Sequence, residues 1–322
     1  MTERRPEHPL RLRARFTRWD DRFRGCDGDE WLECLFEGGR WLEGSAYFAA
    51  GRYLVVSDIP NDRILRWDEV TGAVGVFREP AHFANGNTVD RFGRLVTCEQ
   101  GSRSLTRTEA NGAIVTLADR WRGSRFNSPD VVIERSDGTL WFSDPSYGID
   151  SDYEGRAGVR ELDQRMVFRL DPATGDVQPV IDDLDIPNGL AFNVDESRLF
   201  VVDCGSNEII DYAVDPRGSL SDRHRFAAGD TGGLDGIVFD DGGRLWAAAG
   251  DGVDCYHPDG TRLARLALPE PVANLTFGGP RGNDLFIAAT SSLYRIRLKV
   301  NGAKFEYLGA SAHPEAISPW RL

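Results

Sequence analysis

Six oxygen-bearing side chains recur at the same position of a repeated sequence pattern. They are Glu43, Asn85, Asp130, Asn188, Asp235 and Asn274. Successive members are about 40 to 60 residues apart, and each stands about ten residues before a short apolar segment. If the fold buries the three carboxylates together, their repulsion and their loss of hydration are costly. No lysine or arginine occupies these positions, so a bound cation is the simplest way to stabilise them.

The ligand chemistry indicates which cation is expected. Mixed carboxylate and amide oxygens suit a hard divalent ion, so Ca²⁺ is the expected cofactor, with Mg²⁺ or Mn²⁺ as alternatives. Zn²⁺ is the remaining alternative, although it usually prefers histidine or cysteine, and neither occurs at these positions. We therefore expect one divalent metal ion.

Each of these residues taken alone has a simpler interpretation. The dipeptides Asn85-Gly86, Asn188-Gly189 and Asp235-Gly236 are common turn signals. A repeat fold could also place a structural asparagine in every unit. Glu43-Gly44 fits a turn poorly, and all six repeats carry Asp, Glu or Asn at this position. The shared position favours a common site.

The apolar segments that follow predict the elements that position these side chains. They cover residues 53–58, 95–99, 140–144, 199–203, 245–249 and 285–289. A turn with Gly or Asp precedes each one, and most are followed by a third and a fourth strand pattern. Four short strands in six repeats predict an all-β fold, a six-bladed β-propeller with a metal site in its central channel. A seven-bladed ring or two small β domains are the alternatives.

The boundaries follow from the repeats. We expect residues 38–322 to form a single propeller domain. Residues 1–37 are expected to be an N-terminal extension whose outer strand closes the ring with the C-terminal segment. Residues 150–164 resemble an inserted loop on one face, and the sequence leaves open whether this loop covers the channel.

The composition limits which partners and which cellular compartment are expected for this chain. The net charge of −13 disfavours nucleic acids and anionic membranes. No apolar run approaches the roughly 18 residues of a membrane span. The first residues are charged and lack the apolar region of a secretory signal, so a cytoplasmic location is expected. The five cysteines are scattered along the chain, and we expect them to be reduced thiols. The oligomeric state is not predicted.

Several motifs together resemble a known family. In chain order they are RWLEGSAYF, SDIPNDRILRW, ANGNTVDRFGRLVTCEQGSRSLTR, RFNSPDVV, DGTLWFSDPSYGI, IPNGLAF, GLDGIVFDDGGRLW and NLTFGG. The chain is similar to the gluconolactonase and senescence-marker-protein (regucalcin-like) family of metal-dependent lactonases, and more to its bacterial branch than to its animal branch. The resemblance implies a hydrolase that opens a small-molecule lactone with one divalent metal ion.

The resemblance also implies roles for particular residues. Glu43, Asn188 and Asp235 match the family's metal ligands. Asp130, which follows Asn-Ser-Pro, would face the metal or the substrate. Two positions depart from the family pattern, since Asp130 stands where an asparagine is usual and Gln100 where a histidine is common. These departures put the substrate in doubt more than the fold.

Catalytic and substrate-binding roles complete the expectation. The metal would polarise the lactone carbonyl, and a carboxylate would activate water, with Asp235 as the first candidate and Asp130 as the second. The expected substrate-binding residues are Asn85, Asn274, Tyr147 and Asp203.

Two other functions compete with sugar-lactone hydrolysis. One is a related metal-dependent hydrolase of another lactone, ester or organophosphate. The other is a non-catalytic propeller that binds calcium or a protein partner. The sequence has neither a GxSxG elbow nor a phosphate-binding loop, and its five histidines match no triad or metal spacing.

Overall fold

The computed structural model describes residues 10–230 and 232–303. Three strands precede the first complete sheet: β1 (Leu10–Arg13), β2 (Phe16–Arg18) and β3 (Trp31–Glu37). The first two four-stranded sheets comprise β4 (Leu42–Phe48), β5 (Tyr53–Asp58), β6 (Arg63–Asp68), β7 (Val74–Arg78), β8 (Ala84–Val89), β9 (Leu95–Glu99), β10 (Ser104–Thr108) and β11 (Ile114–Ala118). A small hairpin follows, formed by β12 (Arg120–Trp121) and β13 (Ser124–Arg125).

The remaining sheets repeat the same antiparallel order. The third and fourth comprise β14 (Val132–Glu134), β15 (Leu140–Asp144), β16 (Met166–Asp171), β17 (Asp176–Ile181), β18 (Pro187–Phe192), β19 (Arg198–Asp203), β20 (Glu208–Val214) and β21 (Leu220–Ala228). The fifth and sixth contain β22 (Leu234–Phe239), β23 (Leu245–Ala249), β24 (Gly252–Tyr256), β25 (Arg262–Ala267), β26 (Val272–Gly278), β27 (Asp284–Ala289) and β28 (Ser292–Arg297). In the described part of the chain, helical structure is limited to two 3₁₀ turns, Asp21–Phe23 and Ile59–Asn61, and the helix α1 (Tyr147–Asp150).

The six sheets form one closed ring of blades. The first strands of neighbouring sheets contact each other in the order β4, β8, β14, β18, β22, β26 and back to β4. This arrangement confirms the predicted all-β fold, a six-bladed propeller. The predicted second strands are also present, with β19 and β27 beginning at Arg198 and Asp284.

The N-terminal segment completes the last two blades. Strand β3 pairs antiparallel with β28 and supplies the fourth strand of blade 6. Strands β1 and β2 then add a fifth strand to blades 6 and 5 by pairing with β3 and β25. The ring is therefore closed by strands from opposite ends of the sequence.

The core lies between the blades because second strands are covered on both faces. Strands β9, β15, β23 and β27 are buried along their whole length, which explains their near-continuous apolar sequences. Aromatic rings join neighbouring blades, as where Trp246 of blade 5 packs against Phe277 of blade 6 with centroids 6.4 Å apart. Within the described ranges, no helix is long and apolar enough to cross a membrane.

Candidate metal-binding and active site

A local irregularity interrupts the innermost strands at the recurring oxygen-bearing residue. In five blades the pairing with the second strand shifts register there, at Glu43/Ala46, Ala84/Asn87, Pro187/Leu190, Leu234/Ile237 and Val272/Asn274. In blade 3 the strand β14 begins only at Val132, directly after the Asp130 segment. Such bulges change the direction of a side chain, and here they leave the polar residue outside the regular ladder.

The glycines after these residues allow neighbouring blades to approach closely. A Cβ on Gly44 would lie 1.9 Å from the carbonyl oxygen of Asn85, and one on Gly86 would lie 2.2 Å from that of Asp130. The N–H of Gly86 donates to the same Asp130 carbonyl over 2.7 Å. The Glu-Gly, Asn-Gly and Asp-Gly dipeptides therefore serve contact between blades, and interpreting them as turns is wrong.

The bulged positions converge on one cavity of about 270 Å³. Its carboxylates and amides are Glu43, Asn85, Asp130, Glu154, Asn188 and Asp235. The Tyr147 ring and the Cys204 thiol complete its polar lining, and Trp41, Leu234, Pro271 and Val272 form its apolar part. Among the described residues, no lysine or arginine lines this cavity.

Four of the lining side chains keep a buried oxygen without a partner. The Oδ1 atoms of Asn85, Asp130, Asn188 and Asp235 accept no hydrogen bond within the described part of the chain. Buried acceptors are normally satisfied, and leaving several unsatisfied in one place is costly. The pattern therefore indicates a ligand that contacts several oxygens at once.

The electrostatics of the cavity point in the same direction. Burial raises the pKa of Glu43 to about 8 and that of Glu154 to about 7. Burial also raises the pKa values of Asp130 and Asp235 well above their usual range, and repulsion by Glu43 adds to both shifts. Four carboxylates thus share a poorly hydrated space without a protein cation.

The donor set fits a hard divalent cation. Within residues 10–230 and 232–303, no group of three His, Cys, Asp or Glu side chains is close enough to hold a metal by itself. An ion in this cavity would therefore need amide oxygens as well as carboxylates. The unpartnered oxygens supply both types, which suits Ca²⁺ better than Zn²⁺.

Acids at the ends of the second strands hold the segments that lead into the site. Asp144, which is fully buried, accepts backbone N–H groups from Asn127 and Ser128, each over 2.8 Å. This contact fixes the segment that carries Asp130. Asp203 plays the equivalent part in blade 4, where it accepts the N–H of Ile186 over 2.8 Å.

The structure separates the sequence-predicted residues into two groups. Glu43, Asn85, Asp130, Asn188, Asp235 and Tyr147 line the cavity. Asp203 and Asn274 are not part of its lining. The Oδ1 of Asn274 accepts hydrogen bonds from the backbone N–H and the hydroxyl of Ser45, over 3.1 and 2.8 Å. Asn274 also lowers the pKa of the Glu43 carboxyl, so it lies beside that carboxylate.

Comparison with known proteins decides the family. Residues 41–291 match the sequence profile of the SMP-30/Gluconolactonase/LRE-like region, well over half of the chain. The chain belongs to the SMP-30/gluconolactonase family.

Relatives in this family include enzymes named for lactones. The chain is 30% identical over 298 residues to the gluconolactonase of Zymomonas mobilis, covering 84% of this chain and 82% of that protein. It is 31% identical over 256 residues to the pentonolactonase of Haloferax volcanii, covering 76% and 80%. A solved gluconolactonase structure from Xanthomonas campestris shares 37% identity and superposes with a TM-score of 0.85, covering 91% of this chain and 99% of that chain.

Several lining residues of this SMP-30/gluconolactonase family member, among them Glu154 and Trp41, were not predicted from the sequence. Glu154 belongs to the inserted loop between blade 3 strands, so it has no equivalent in the other repeats. Trp41 stands two residues before Glu43 and contributes to the apolar part of the lining. Its place beside the repeated acidic position was the available signal.

Proposed function

We propose that this protein is a hydrolase that opens sugar lactones with one divalent metal ion. The observation that carries this proposal is the convergence of four unpartnered side-chain oxygens on one cavity, in a chain of the SMP-30/gluconolactonase family. The names of its relatives, gluconolactonase and pentonolactonase, support lactones of five- or six-carbon sugars as the substrate class.

The metal would be held by Glu43, Asp130, Asn188 and Asp235, with Ca²⁺ as the expected ion. Each of these side chains lines the cavity, and three of them have an unpartnered Oδ1. The three carboxylates of this set would have to move closer together to share the ion. When bound, a divalent cation supplies Lewis-acid polarisation of a carbonyl and stabilises the negative charge that develops on its oxygen.

The chain's own residues provide the proton transfers. Asp235 is the first candidate for the general base, provided that one of its two carboxylate oxygens stays off the metal, and it would take a proton from the attacking water. The water oxygen bonds to the carbonyl carbon, the ring C–O bond breaks, and the proton passes to the released alkoxide. Asp130 is the second candidate, and it would need its Oδ1 to stay off the metal because Gln100 donates to its Oδ2.

The cavity lining suits a molecule with one polar edge and one apolar face. The amide of Asn85 and the hydroxyl of Tyr147 offer hydrogen bonds to sugar hydroxyls. Trp41 and Pro271 offer flat apolar contact to the C–H groups of a sugar ring. Asn274 takes a positioning role through Ser45 rather than a direct one.

A reducing compartment is the proposed location. All five cysteines are free, and four of them are buried. Burial raises the pKa of the Cys98 and Cys255 thiols well above the ordinary value, which makes them poor nucleophiles for disulfide formation. These features support the cytoplasm.

The test measures the hydrolysis of a panel of aldonolactones, simple esters and an organophosphate. Hydrolysis is detected as proton release, and the rate of spontaneous ring opening is subtracted. We expect turnover of the aldonolactones by the wild-type protein and loss of at least about 100-fold in Asp235→Asn. Asp163→Asn, an exposed position on the inserted loop, is the matched control. If the protein hydrolyses esters or organophosphates but no aldonolactone, it is a related hydrolase of those substrates. If it hydrolyses none of the panel, a binding protein is favoured.

A further inference from the structure

The inserted loop of blade 3, residues 151–165, is fixed against helix α1. The N–H of Arg156 donates to the carbonyl of Gly148 over 2.9 Å. Gly155 packs so closely there that a Cβ would lie 2.1 Å from the Gly148 carbonyl oxygen. Glu154 lies directly before these two contacts and directly after the exposed Tyr153. The contacts of Gly155 and Arg156 with Gly148 therefore hold its backbone in place.

The same loop reaches across to other blades. The Tyr153 hydroxyl donates to the carbonyl of Arg40, just before strand β4, over 3.2 Å. The Arg156 guanidinium lies 5.9 Å from the centre of the Phe83 ring, just before strand β8. The loop therefore extends from blade 3 to the entries of blades 1 and 2, and Glu154 lies between these anchors.

Glu154 is unlike the other carboxylates of the cavity. Glu43, Asp130 and Asp235 come from the innermost strands, whereas Glu154 is brought in by the loop alone. Within the described residues, burial is the only influence on the pKa of Glu154, with no hydrogen bond or opposite charge acting on it. No lysine or arginine of the described chain lines the cavity to pair with it. It is a partly buried acceptor, and no donor of the described chain faces its carboxylate.

We infer that Glu154 binds hydroxyl groups of the substrate and so selects polyhydroxylated lactones. This inference rests on the proposed lactonase function and names the part of the substrate that the loop recognises. A carboxylate accepts up to four hydrogen bonds and donates none when ionised. The hydroxyls of a sugar lactone are the donors that would satisfy it.

Charge balance argues against a place for Glu154 among the metal ligands. A divalent cation offsets two of the four carboxylate charges in the cavity, and three carboxylates already belong to the proposed ligand set. A fourth would add repulsion without adding neutralisation. Hydroxyl donors stabilise it without a further cation, and a hydrogen bond to a charged group is stronger than one between neutral groups.

The experiment compares Glu154→Gln with the matched control Asp163→Asn, which removes the same charge from an exposed position of the same loop. Metal-loaded proteins are assayed on δ-gluconolactone and on deoxygluconolactones that each lack one hydroxyl. We expect Glu154→Gln to lower kcat/KM on δ-gluconolactone about tenfold or more, mainly through KM. The loss should be clearly smaller on at least one deoxy lactone, the one that lacks the bound hydroxyl.

Other outcomes overturn the inference in distinguishable ways. Unchanged kinetics in Glu154→Gln, or an equal loss on every deoxy lactone, would show that Glu154 does not read hydroxyl groups. An equal loss accompanied by weaker Ca²⁺ binding would assign it to the metal site. If the wild-type protein turns over none of these lactones, the proposed function itself fails, and the inference fails with it.

Discussion

The side chain of Gln100 donates a hydrogen bond from Nε2 to Oδ2 of Asp130 over 3.2 Å. These are the two positions at which the sequence departs from the pattern common in the family, so the structure joins the two departures. Because Gln100 occupies Oδ2, the unpartnered oxygen of this carboxylate is Oδ1. Asp130 therefore offers one free oxygen to the proposed metal site.

We expect Asp130→Asn to weaken Ca²⁺ binding about tenfold or more, since it removes one of the charges facing the ion. Calorimetric titration of the chelator-treated protein with Ca²⁺ measures this directly. Asp163→Asn carries the same change at an exposed position and should bind Ca²⁺ as the wild type does. An unchanged affinity in Asp130→Asn would remove Asp130 from the ligand set.

Contact between blades at the bulge glycines predicts a large effect from a small change. Gly86→Ala would place a Cβ 2.2 Å from the Asp130 carbonyl oxygen and should lower the free energy of unfolding by about 2–3 kcal/mol. Gly75→Ala on outer strand β7 has open space and should be neutral or slightly stabilising. Urea unfolding of both variants checks this, and equal stabilities would contradict the close packing of blades 2 and 3.

The buried Asp144 predicts a specific pH dependence of stability. Burial raises the pKa of this carboxyl from its ordinary range to about 7, although two backbone N–H groups oppose the shift. A carboxyl whose pKa is higher in the folded than in the unfolded state adds to the free energy of unfolding at pH values below its unfolded pKa. This stabilising contribution is lost as the pH rises to about 7. In metal-free protein, the wild type should therefore lose stability relative to Asp144→Asn between about pH 4 and pH 7. A stability difference that stays constant over this range would show that Asp144 is ionised throughout.

We propose that the N-terminal extension is needed to close the ring. Removing residues 1–37 deletes β3 and exposes the edge of β28, including the buried Leu293 and Ile296. The protein that lacks residues 1–37 should no longer unfold cooperatively on heating. Removing residues 1–18 deletes only the fifth strands of blades 5 and 6, so it should lower Tm and keep the fold. Similar melting of the two truncated proteins would argue against this closure.

Most of the fold could be predicted because each blade repeats a local pattern. A second strand such as β23 is apolar throughout since both of its faces are covered, and the turns before these strands mark the repeats. The candidate ligands could be predicted for the same reason, because equivalent positions in a ring converge. Asn274 occupies the equivalent position but is drawn to the backbone and hydroxyl of Ser45, a contact between blades that no local pattern encodes.

The inserted loop escaped prediction because it has no counterpart in the other repeats. Its position depends on packing against Gly148 and on the distant Arg40 carbonyl, and neither contact follows from sequence spacing. Asp203 illustrates the opposite error of assigning function to a capping group. It ends its strand as Asp144 does, and its oxygens accept backbone N–H groups within its own blade.

The central claim is that a divalent ion in the channel is required for lactone hydrolysis, and its most direct test is the turnover of δ-gluconolactone before and after metal removal. Protein stripped with EDTA and freed of chelator should be folded but inactive, and stoichiometric Ca²⁺ should restore activity. The same addition to Glu43→Gln should restore little, because one buried ligand charge is missing. Full activity in protein verified to contain no metal would contradict the account.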